Sequence, residues 1–162
     1  MAEYIRDHRE LKRIIDEERL RGKKIVFGNG CFDLLHVGHI RYLAGAKALG
    51  DVLVVALNDD ASVVGLGKRR AVATPIDERV EIVAAVRYVD YVTTFSEPTV
   101  ESLLRLLKPD FHAKGTDYTV DTVPERDTAR QLGTRIAIVG DRKDHSTRDL
   151  LARLSNLPRD ER

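Results

Sequence analysis

The sequence predicts an α/β fold built around an open sheet of parallel strands. Short runs rich in β-branched residues alternate along the chain with amphipathic stretches of helical period, and this alternation is typical of βαβ units. The 162 residues, 43% of them hydrophobic and 33% charged, suit one globular domain. A domain of this size buries about 70% of the surface of its unfolded chain. We count five strands and no internal repeat.

The first predicted element is a helix on the outside of the core, over residues 7–21. One stripe of this helix is apolar and carries Leu11, Ile14, Ile15 and Leu20. Gly22 ends the helix, and we expect 1–22 to be a helical extension of a domain that spans 23–156 and precedes a tail at 157–162. The next elements are a strand, a helix that glycine ends, and a second strand, at 24–27, about 38–49 and 51–57.

After a polar segment at 58–73, the second half continues the alternation. Thr74 and Pro75 predict a helix start, with threonine as the N-cap residue and proline at the first helical position. Two capping-box patterns predict the starts of the last two helices, Thr122-x-x-Glu125 and Ser146-x-x-Asp149. The other expected elements are strands at 88–95, 110–115 and 135–140, a helix at 99–107, a loop at 116–123, a helix that ends at Leu132-Gly133 and a final helix with Leu150, Leu151 and Leu154.

The charge balance argues against two classes of partner. The chain has 27 Lys and Arg against 26 Asp and Glu, a formal net charge of +1, so no global basic field draws it to nucleic acid or to a membrane surface. One cysteine excludes an intramolecular disulfide. The first residues contain no apolar signal region, and no run approaches 18 apolar residues. We therefore expect a cytoplasmic protein.

The segment GNGCFDLLHVGH, which starts at Gly28, carries the most chemistry. Gly28 and Gly30 end the first strand and Gly38 opens a helix, so the segment lies at a strand-to-helix turn. Such turns lie where ligands bind and where a helix amino terminus offers N–H groups to an anion. His36 and His39 are three residues apart and can face the same ligand. An arbitrary pair of this kind is more often one surface and one core histidine, but the turn favours a phosphate site.

Three other kinds of site fit the sequence less well. A dinucleotide fingerprint needs a third glycine, where Asp33 stands, and an acidic residue at the end of the second strand. The Gly-Lys pair at 67–68 lacks the earlier glycine of a P-loop. Cys31, His36 and His39 lack a fourth zinc ligand at a usual spacing. We therefore expect no metal ligands among the side chains and interpret Cys31 as a small buried residue.

The glycine-histidine segment resembles the G-x-F-D-x-x-H-x-G-H signature of the cytidylyltransferase-like nucleotidyltransferases. The similarity covers about 24–154 and includes Asn58 to Asp60, Thr74 to Arg79, Arg87 to Asp90, Lys114 to Tyr118 and His145 to Thr147. Within the family, the order of segments most resembles the adenylyltransferases that make ADP-heptose from heptose 1-phosphate, above all in the sequence KGTDY. The resemblance implies a Rossmann-like sheet of five strands in the order 3-2-1-4-5, with helices on both faces and ATP at its carboxyl edge.

The family's functional residues imply roles for residues of this chain. Those expected to act on the phosphates are His36, His39, Lys68, Arg79, Ser146 and Thr147. Those expected to bind the nucleotide or the acceptor are Asn29, Gly30, Cys31, Phe32, Asp33, Gly38, Asn58, Asp60, Lys114, Gly115, Asp117, Tyr118 and Arg142. Lys68 can equally be a solvated loop charge, and Arg142 follows Asp141, which stands where some relatives have an arginine.

The resemblance also implies a reaction: AMP transfer from ATP to a sugar 1-phosphate, for ADP-heptose and lipopolysaccharide synthesis, with release of pyrophosphate. It implies a homodimer, and Mg²⁺ carried mainly by the triphosphate. A phosphate acceptor is ionised near neutral pH, so catalysis needs positioning and charge stabilisation rather than a general base. Two alternatives stay open: a cytidylyltransferase for glycerol phosphate or another polyol phosphate, and a nucleotide-binding module without turnover.

Overall fold

The computed structural model describes residues 1–67, 71–141 and 147–156, apart from the side chains of 148 and 149. Within these residues, six parallel strands form one sheet in the order β1-β4-β3-β2-β5-β6. The strands are β1 (Glu3–Tyr4), β2 (Ile25–Gly30), β3 (Val52–Asn58), β4 (Tyr91–Phe95), β5 (Phe111–Gly115) and β6 (Arg135–Val139).

Seven helices connect and cover these strands in the described part of the chain. They are α1 (His8–Leu20), α2 (Val37–Lys47), α3 (Asp60–Gly65), α4 (Ile76–Ala84), α5 (Glu101–Leu107), α6 (Arg126–Leu132) and α7 (Thr147–Ser155), and a turn of 3-10 helix spans Val120–Thr122. None of them is both long enough and apolar enough to cross a membrane.

The prediction of a five-stranded sheet is wrong, because a sixth strand, β1, is added at one edge; the other five strands keep the predicted relative order 3-2-1-4-5. Strand β1 lies at the edge of the sheet and pairs with β4, with Glu3 opposite Tyr91. Backbone contacts hold it there: the N–H of Glu3 donates to the carbonyl of Asp90 at 3.1 Å, and that of Ile5 donates to Val92 at 2.8 Å. Two residues are too few for a period-two pattern, so hydrophobic periodicity could not detect this strand.

Two layers of apolar side chains cover the two faces of the sheet, as expected for a parallel sheet with helices on both sides. Strand β3 contributes to both layers, since Leu53 packs with helices α2 and α4 while Val54 packs with α1 and α5. Leu11 and Ile15 are fully buried beneath α1, so residues 1–22 contribute to the core as well as to the sheet. Leu20 is 88% exposed and does not belong to the predicted apolar stripe.

Helix starts in the second half differ from the predicted ones. Pro75, and not Thr74, is the N-cap residue of α4. The polar segment after β3 contains α3, whose first turn is capped by the Asp59 carboxylate accepting from the Ser62 N–H at 2.7 Å. The Thr122-x-x-Glu125 pattern does not cap α6, because Glu125 makes a buried ion pair instead. Ser146 of the other predicted box lies outside the described residues.

A close approach of α2 to the sheet brings its amino end next to the strand ends. The Tyr42 hydroxyl donates to the carbonyl of Ala113 on β5 at 2.9 Å, and burial raises the pKa of Tyr42, so the donor stays protonated. A Cβ atom on Gly28 would lie 2.5 Å from this hydroxyl oxygen. Glycine is therefore required at position 28 for α2 to pack on β2.

Candidate functional site: the cleft at the carboxyl ends of β2, β5 and β6

An open cleft lies where β2, β5 and β6 end and α2 begins. Nine of the predicted site residues line it: Asn29, Gly30, Cys31, Phe32, His36, Gly38, His39, Gly115 and Asp117. The structure therefore brings the glycine-histidine segment of β2 and the KGTDY segment of β5 to one concave surface, although they are separated by more than 70 residues in the chain.

The two histidines stand side by side at the amino end of α2. Their rings stack with centroids 3.9 Å apart and planes inclined by 28°. His36 is the N-cap residue, and its backbone N–H donates to Nδ1 of His39 at 3.4 Å. This contact favours the tautomer of His39 that carries its proton on Nε2. The pair thus combines imidazole donors with a helix amino terminus, an arrangement suited to an anion.

Phe32 adopts a left-handed backbone conformation in the turn between β2 and α2, with φ of +47°. A non-glycine residue in this region is strained by about 1–3 kcal/mol. The ring packs between His39 and Tyr42, at centroid distances of 5.1 and 6.2 Å. The strained turn therefore supports the His39 ring from below.

Asp33 lies beneath the cleft and not on its surface. Its side chain is buried, and Oδ1 accepts from the N–H groups of Ala73 and Thr74 at 2.9 and 2.8 Å. These two bonds attach the glycine-histidine turn to the segment that leads into α4. In this structure Asp33 therefore positions a loop, and its expected role as part of the nucleotide surface stays a prediction.

Arg79, predicted to approach a phosphate, is fully buried and connects several of the segments that surround the cleft. Its guanidinium donates to the carbonyls of Thr74, Cys31 and Asn58 at 2.9, 2.7 and 2.8 Å, and to Asp60 Oδ1 at 2.5 Å. Four of its five N–H groups are thus occupied by the protein itself. The structure gives Arg79 a positioning role for the turn that contains Cys31.

Asn58, Asp60 and Cys31 meet around this arginine. The backbone carbonyl of Asn58 accepts from Arg79. Its buried side chain donates from Nδ2 to the Ser62 hydroxyl at 2.9 Å. The Cys31 thiol contacts Asn58 Oδ1 at 3.8 Å. Cys31 is partly exposed at the cleft, so the expectation of a fully buried side chain is wrong.

Lys114 belongs to a buried polar cluster at the floor of the cleft. Its ammonium lies 3.2 Å from Glu125 Oε2 and 3.2 Å from Asn29 Oδ1, and 5.0 Å above the ring of Tyr118. The fully buried His112 lies 3.5 Å from the same Glu125 oxygen. Sequence reasoning missed both residues as parts of the site: His112 lies in no recognisable motif, Glu125 was interpreted as part of a capping box, and each acquires its partners through the fold.

Burial controls the charge states of this cluster. Desolvation lowers the pKa of His112 below its usual 6.5, so the ring is neutral near pH 7. Burial by itself would raise the pKa of Glu125, but its contacts with His112 and Lys114 outweigh that effect and lower it to about 2. The cluster at neutral pH is therefore an ammonium and a carboxylate beside a neutral imidazole.

We expect stability to fall as the pH is lowered, in two stages. Below about pH 6.5, His112 takes up a proton in the unfolded chain but stays neutral in the folded protein, which favours unfolding. Between about pH 4.5 and 2, Glu125 takes up a proton in the unfolded chain but stays ionised in the folded protein, with the same effect. The free energy of unfolding, measured in urea between pH 4 and 8, should decrease on the acid side of 6.5. His112→Gln should flatten the first stage; an unchanged slope in that variant would contradict the assignment.

The acceptor side of the cleft carries Gly115, Thr116 and Asp117. The Thr116 hydroxyl donates to the carbonyl of Asp141 at 2.7 Å, which fastens the loop after β5 to the end of β6. Tyr118 lies half-buried under the Lys114 ammonium, and burial raises the pKa of its phenol. Thr116 and Asp117 are both exposed and line the cleft.

Strand β6 adds residues to the cleft that were not predicted as site residues. Val139, Gly140 and Asp141 line it, and Asp141 forms an ion pair with Arg41 of α2. The signal was available, since a Gly-Asp pair directly after a predicted parallel strand lies at the same carboxyl edge of the sheet. This ion pair links helix α2 to the residues that follow β6.

The remaining predicted site residues are Lys68, Arg142, Ser146 and Thr147. Lys68, Arg142 and Ser146 lie outside the described residues. Thr147 is buried at the start of α7. Their expected contacts with phosphate stay predictions.

Comparison with known proteins identifies the family of the chain. The family model described as cytidylyltransferase-like matches residues 27–158, which is most of the chain. The bifunctional protein HldE of Syntrophotalea carbinolica is 43% identical over 151 residues, and HldE of Geobacter metallireducens is 45% identical over 141. These alignments cover 93% and 87% of this chain but 31% and 29% of the relatives, so the chain spans about 30% of their length.

Two solved structures share the fold. A lipopolysaccharide core biosynthesis protein from Thermoplasma volcanium superposes with a TM-score of 0.64 at 26% identity, over 74% of this chain and 98% of that one. Pantoate-β-alanine ligase from Francisella tularensis, in complex with β-γ ATP and β-alanine, gives a TM-score of 0.66 at 18% identity, over 93% and 73%. The second likeness concerns the fold alone.

Proposed function

Because the chain belongs to the cytidylyltransferase-like family of nucleotidyltransferases, we propose that it transfers AMP from ATP to a sugar 1-phosphate and releases pyrophosphate. Heptose 1-phosphate is the proposed acceptor. The family resemblance and the enzyme class expected from the sequence are confirmed. The single observation that carries the finer proposal is the stacked pair of His36 and His39 at the amino end of α2, in the same cleft as Asp117.

The histidine side of the cleft suits the phosphates of the nucleotide. Gly30 and Gly38 leave the backbone open, and the first N–H groups of α2 offer donors to an anion. His36 and His39 add donors where negative charge develops on the transferring group and on pyrophosphate. Asn29 and Cys31 contribute to the same wall.

The reaction does not require a general base, because the acceptor oxygen carries no proton to remove. The oxygen of a sugar 1-phosphate is already ionised, so it attacks the α-phosphorus while the bond from that phosphorus to pyrophosphate breaks. No proton leaves the acceptor in this step. Catalysis then consists of in-line positioning and stabilisation of charge, which histidines and backbone N–H groups can provide.

Magnesium fits the site as a companion of the nucleotide. Among the described residues, no group of three or more His, Cys, Asp or Glu side chains could hold a metal ion. The cleft does offer the Asp141 carboxylate, and Mg²⁺ is commonly bound by one or two carboxylates with substrate phosphates and several waters. The ion would neutralise phosphate charge when it is bound.

The acceptor is proposed from the resemblance of the KGTDY segment to heptose 1-phosphate adenylyltransferases. The matches to bifunctional HldE proteins and to a lipopolysaccharide core biosynthesis protein support it. An exposed carboxylate beside a half-buried tyrosine suits a ligand with several hydroxyl groups. A homodimer and a cytoplasmic location complete the proposal, and sedimentation analysis would test the first.

The proposal is tested by measuring pyrophosphate release with ATP and with CTP, each crossed with a panel of sugar and polyol phosphates. Release with ATP and heptose 1-phosphate would support it. Preference for CTP with glycerol phosphate would replace it with the cytidylyltransferase alternative. Nucleotide binding by calorimetry without release for any pair would indicate a binding module.

Asp117→Asn should raise the Michaelis constant for the sugar phosphate by about tenfold while ATP affinity stays nearly constant. If the Asp117 carboxylate accepts hydrogen bonds from sugar hydroxyl groups, an amide in its place leaves some of those bonds unmade, and binding of the acceptor weakens. Steady-state kinetics and calorimetry with ATP measure the two effects. A loss of ATP affinity with an unchanged acceptor constant would assign Asp117 to the nucleotide side.

A further inference from the structure

The loop between β5 and α6 is closed at its base by a buried ion pair. Lys114 stands one residue before the loop segment 115–124, and Glu125 follows it directly. Their charged atoms lie 3.2 Å apart, and the two side chains are only 6% and 4% exposed. Burying an ion pair this deeply costs free energy unless the pair has good geometry and its remaining hydrogen-bonding groups have partners. The other contacts of Lys114 and Glu125 at the loop base are therefore important.

The same pair is also attached to the neighbouring strand β2. The Lys114 ammonium also donates to Asn29 Oδ1 at 3.2 Å, at the end of β2. Behind the carboxylate, the His112 ring lies 3.5 Å from Oε2 and contacts the carbonyl of Phe27 at 3.4 Å. The loop base is therefore fastened to the strand that carries the nucleotide turn.

Beyond this base, the loop has mostly local contacts. Residues 119–122 are exposed and bond chiefly among themselves, as in the Thr119 N–H donating to the Thr122 hydroxyl at 2.8 Å. The Thr116 hydroxyl bonds the carbonyl of Asp141, Arg126 bonds the carbonyl of Asp121 within the loop, and the side chain of Val123 is buried. The buried ion pair is therefore one of the contacts that fix the loop that carries Asp117.

We propose that Glu125 is a positioning residue for the acceptor: it holds Lys114, and so fixes the loop that carries Asp117 relative to the nucleotide turn. The proposal rests on the proposed function for the identity of the acceptor. The low pKa of Glu125 agrees with a carboxylate that stays ionised at working pH. The nucleotide turn has its own supports in Arg79 and Asp33, so it should keep its shape when the pair is weakened.

The first test is kinetic. Glu125→Gln keeps the shape of the side chain and removes its charge, and it should raise the acceptor Michaelis constant about tenfold while the nucleotide Kd changes by less than about twofold. Asp127→Asn is the matched control, because Asp127 lies on the same helix, is 78% exposed and pairs only with its neighbour Arg126 among the contacts described. An unchanged acceptor constant, or an equal rise in both constants, would overturn the proposal.

The second test does not depend on turnover, so it separates failure of this proposal from failure of the proposed reaction. Amide hydrogen exchange at 116–122 should be faster in Glu125→Gln than in the wild type or in Asp127→Asn, with exchange at 28–39 unchanged. Equal exchange at 116–122 would overturn the positioning role even if no acceptor were ever turned over.

A double variant covers the case in which Glu125→Gln does not fold. Lys114→Met with Glu125→Leu leaves no buried charge, and replacing a buried ion pair by apolar residues is often tolerated. This protein should fold and still show faster exchange at 116–122. Native exchange there would overturn the proposal, and so would failure to fold, because the pair would then belong to the general core.

Discussion

Alanine in place of His39 should lower the turnover number by about 10²–10³-fold, as expected for the loss of one electrostatic donor in a site of this kind. The His39 ring stacks on His36 and packs on the strained Phe32, so its position is defined before any ligand arrives. A donor held in place contributes most when charge moves from the α-phosphate to pyrophosphate. The effect should therefore be in kcat, measured by pyrophosphate release at saturating ATP.

The controls for this prediction separate chemistry from folding. His36→Ala should behave like His39→Ala, because the two rings form one donor pair. His8→Ala is the matched control, since its Nε2 lies 2.8 Å from the carbonyl of Thr94 and it does not line the cleft. Unchanged turnover in both cleft variants, with intact thermal unfolding, would refute the assignment of the pair.

Arg79→Ala should lower the free energy of unfolding by about 3–5 kcal/mol, because a fully buried guanidinium that donates to three backbone carbonyls is lost. The side chain is fully buried, and its removal leaves the carbonyls of Thr74, Cys31 and Asn58 without their donor. Each buried acceptor left without a partner costs about 1–3 kcal/mol. Urea unfolding of the variant measures the loss.

The same substitution should weaken ATP binding, because the Cys31 turn loses its support. Arg87→Ala is the control: Arg87 is exposed and lies over the ring of Tyr88 at 4.9 Å. A surface change of this kind should alter stability by no more than about 0.5 kcal/mol. Equal effects of the two substitutions on stability and on ATP affinity, by calorimetry, would contradict the positioning role.

Arg79 also shows how a correct physical argument can lead to an incomplete assignment. A cation near the amino end of a helix is unfavourable on dipole grounds, so Arg79 needs an anion beside it. The structure supplies the Asp60 carboxylate, 19 residues earlier in the chain, rather than the neighbouring Glu78 or Glu81. The need for a partner is local, but the partner's identity depends on how α3 and α4 pack.

The local elements were largely predictable because their signals are short-range. Strand β3 is a buried run of seven residues, six of them apolar, and α2 begins at Val37 within the glycine-histidine segment. The family signature lies within twelve consecutive residues, so it could be read without any tertiary information. By contrast, β1 and α3 are too short to show a period and depend on partners elsewhere in the fold.

The sequence by itself determined the fold class, the family and the turn at which phosphates are expected, since each of these is encoded in adjacent residues. Only the tertiary structure decided which side chains face the cleft and which support it. Arg79 and Asp33 lie below the surface, Glu125 closes the acceptor loop, and Asp141 joins the site from β6. The physical reason is that burial and pairing of charges depend on distances between residues 11 to 100 positions apart, which no local pattern records.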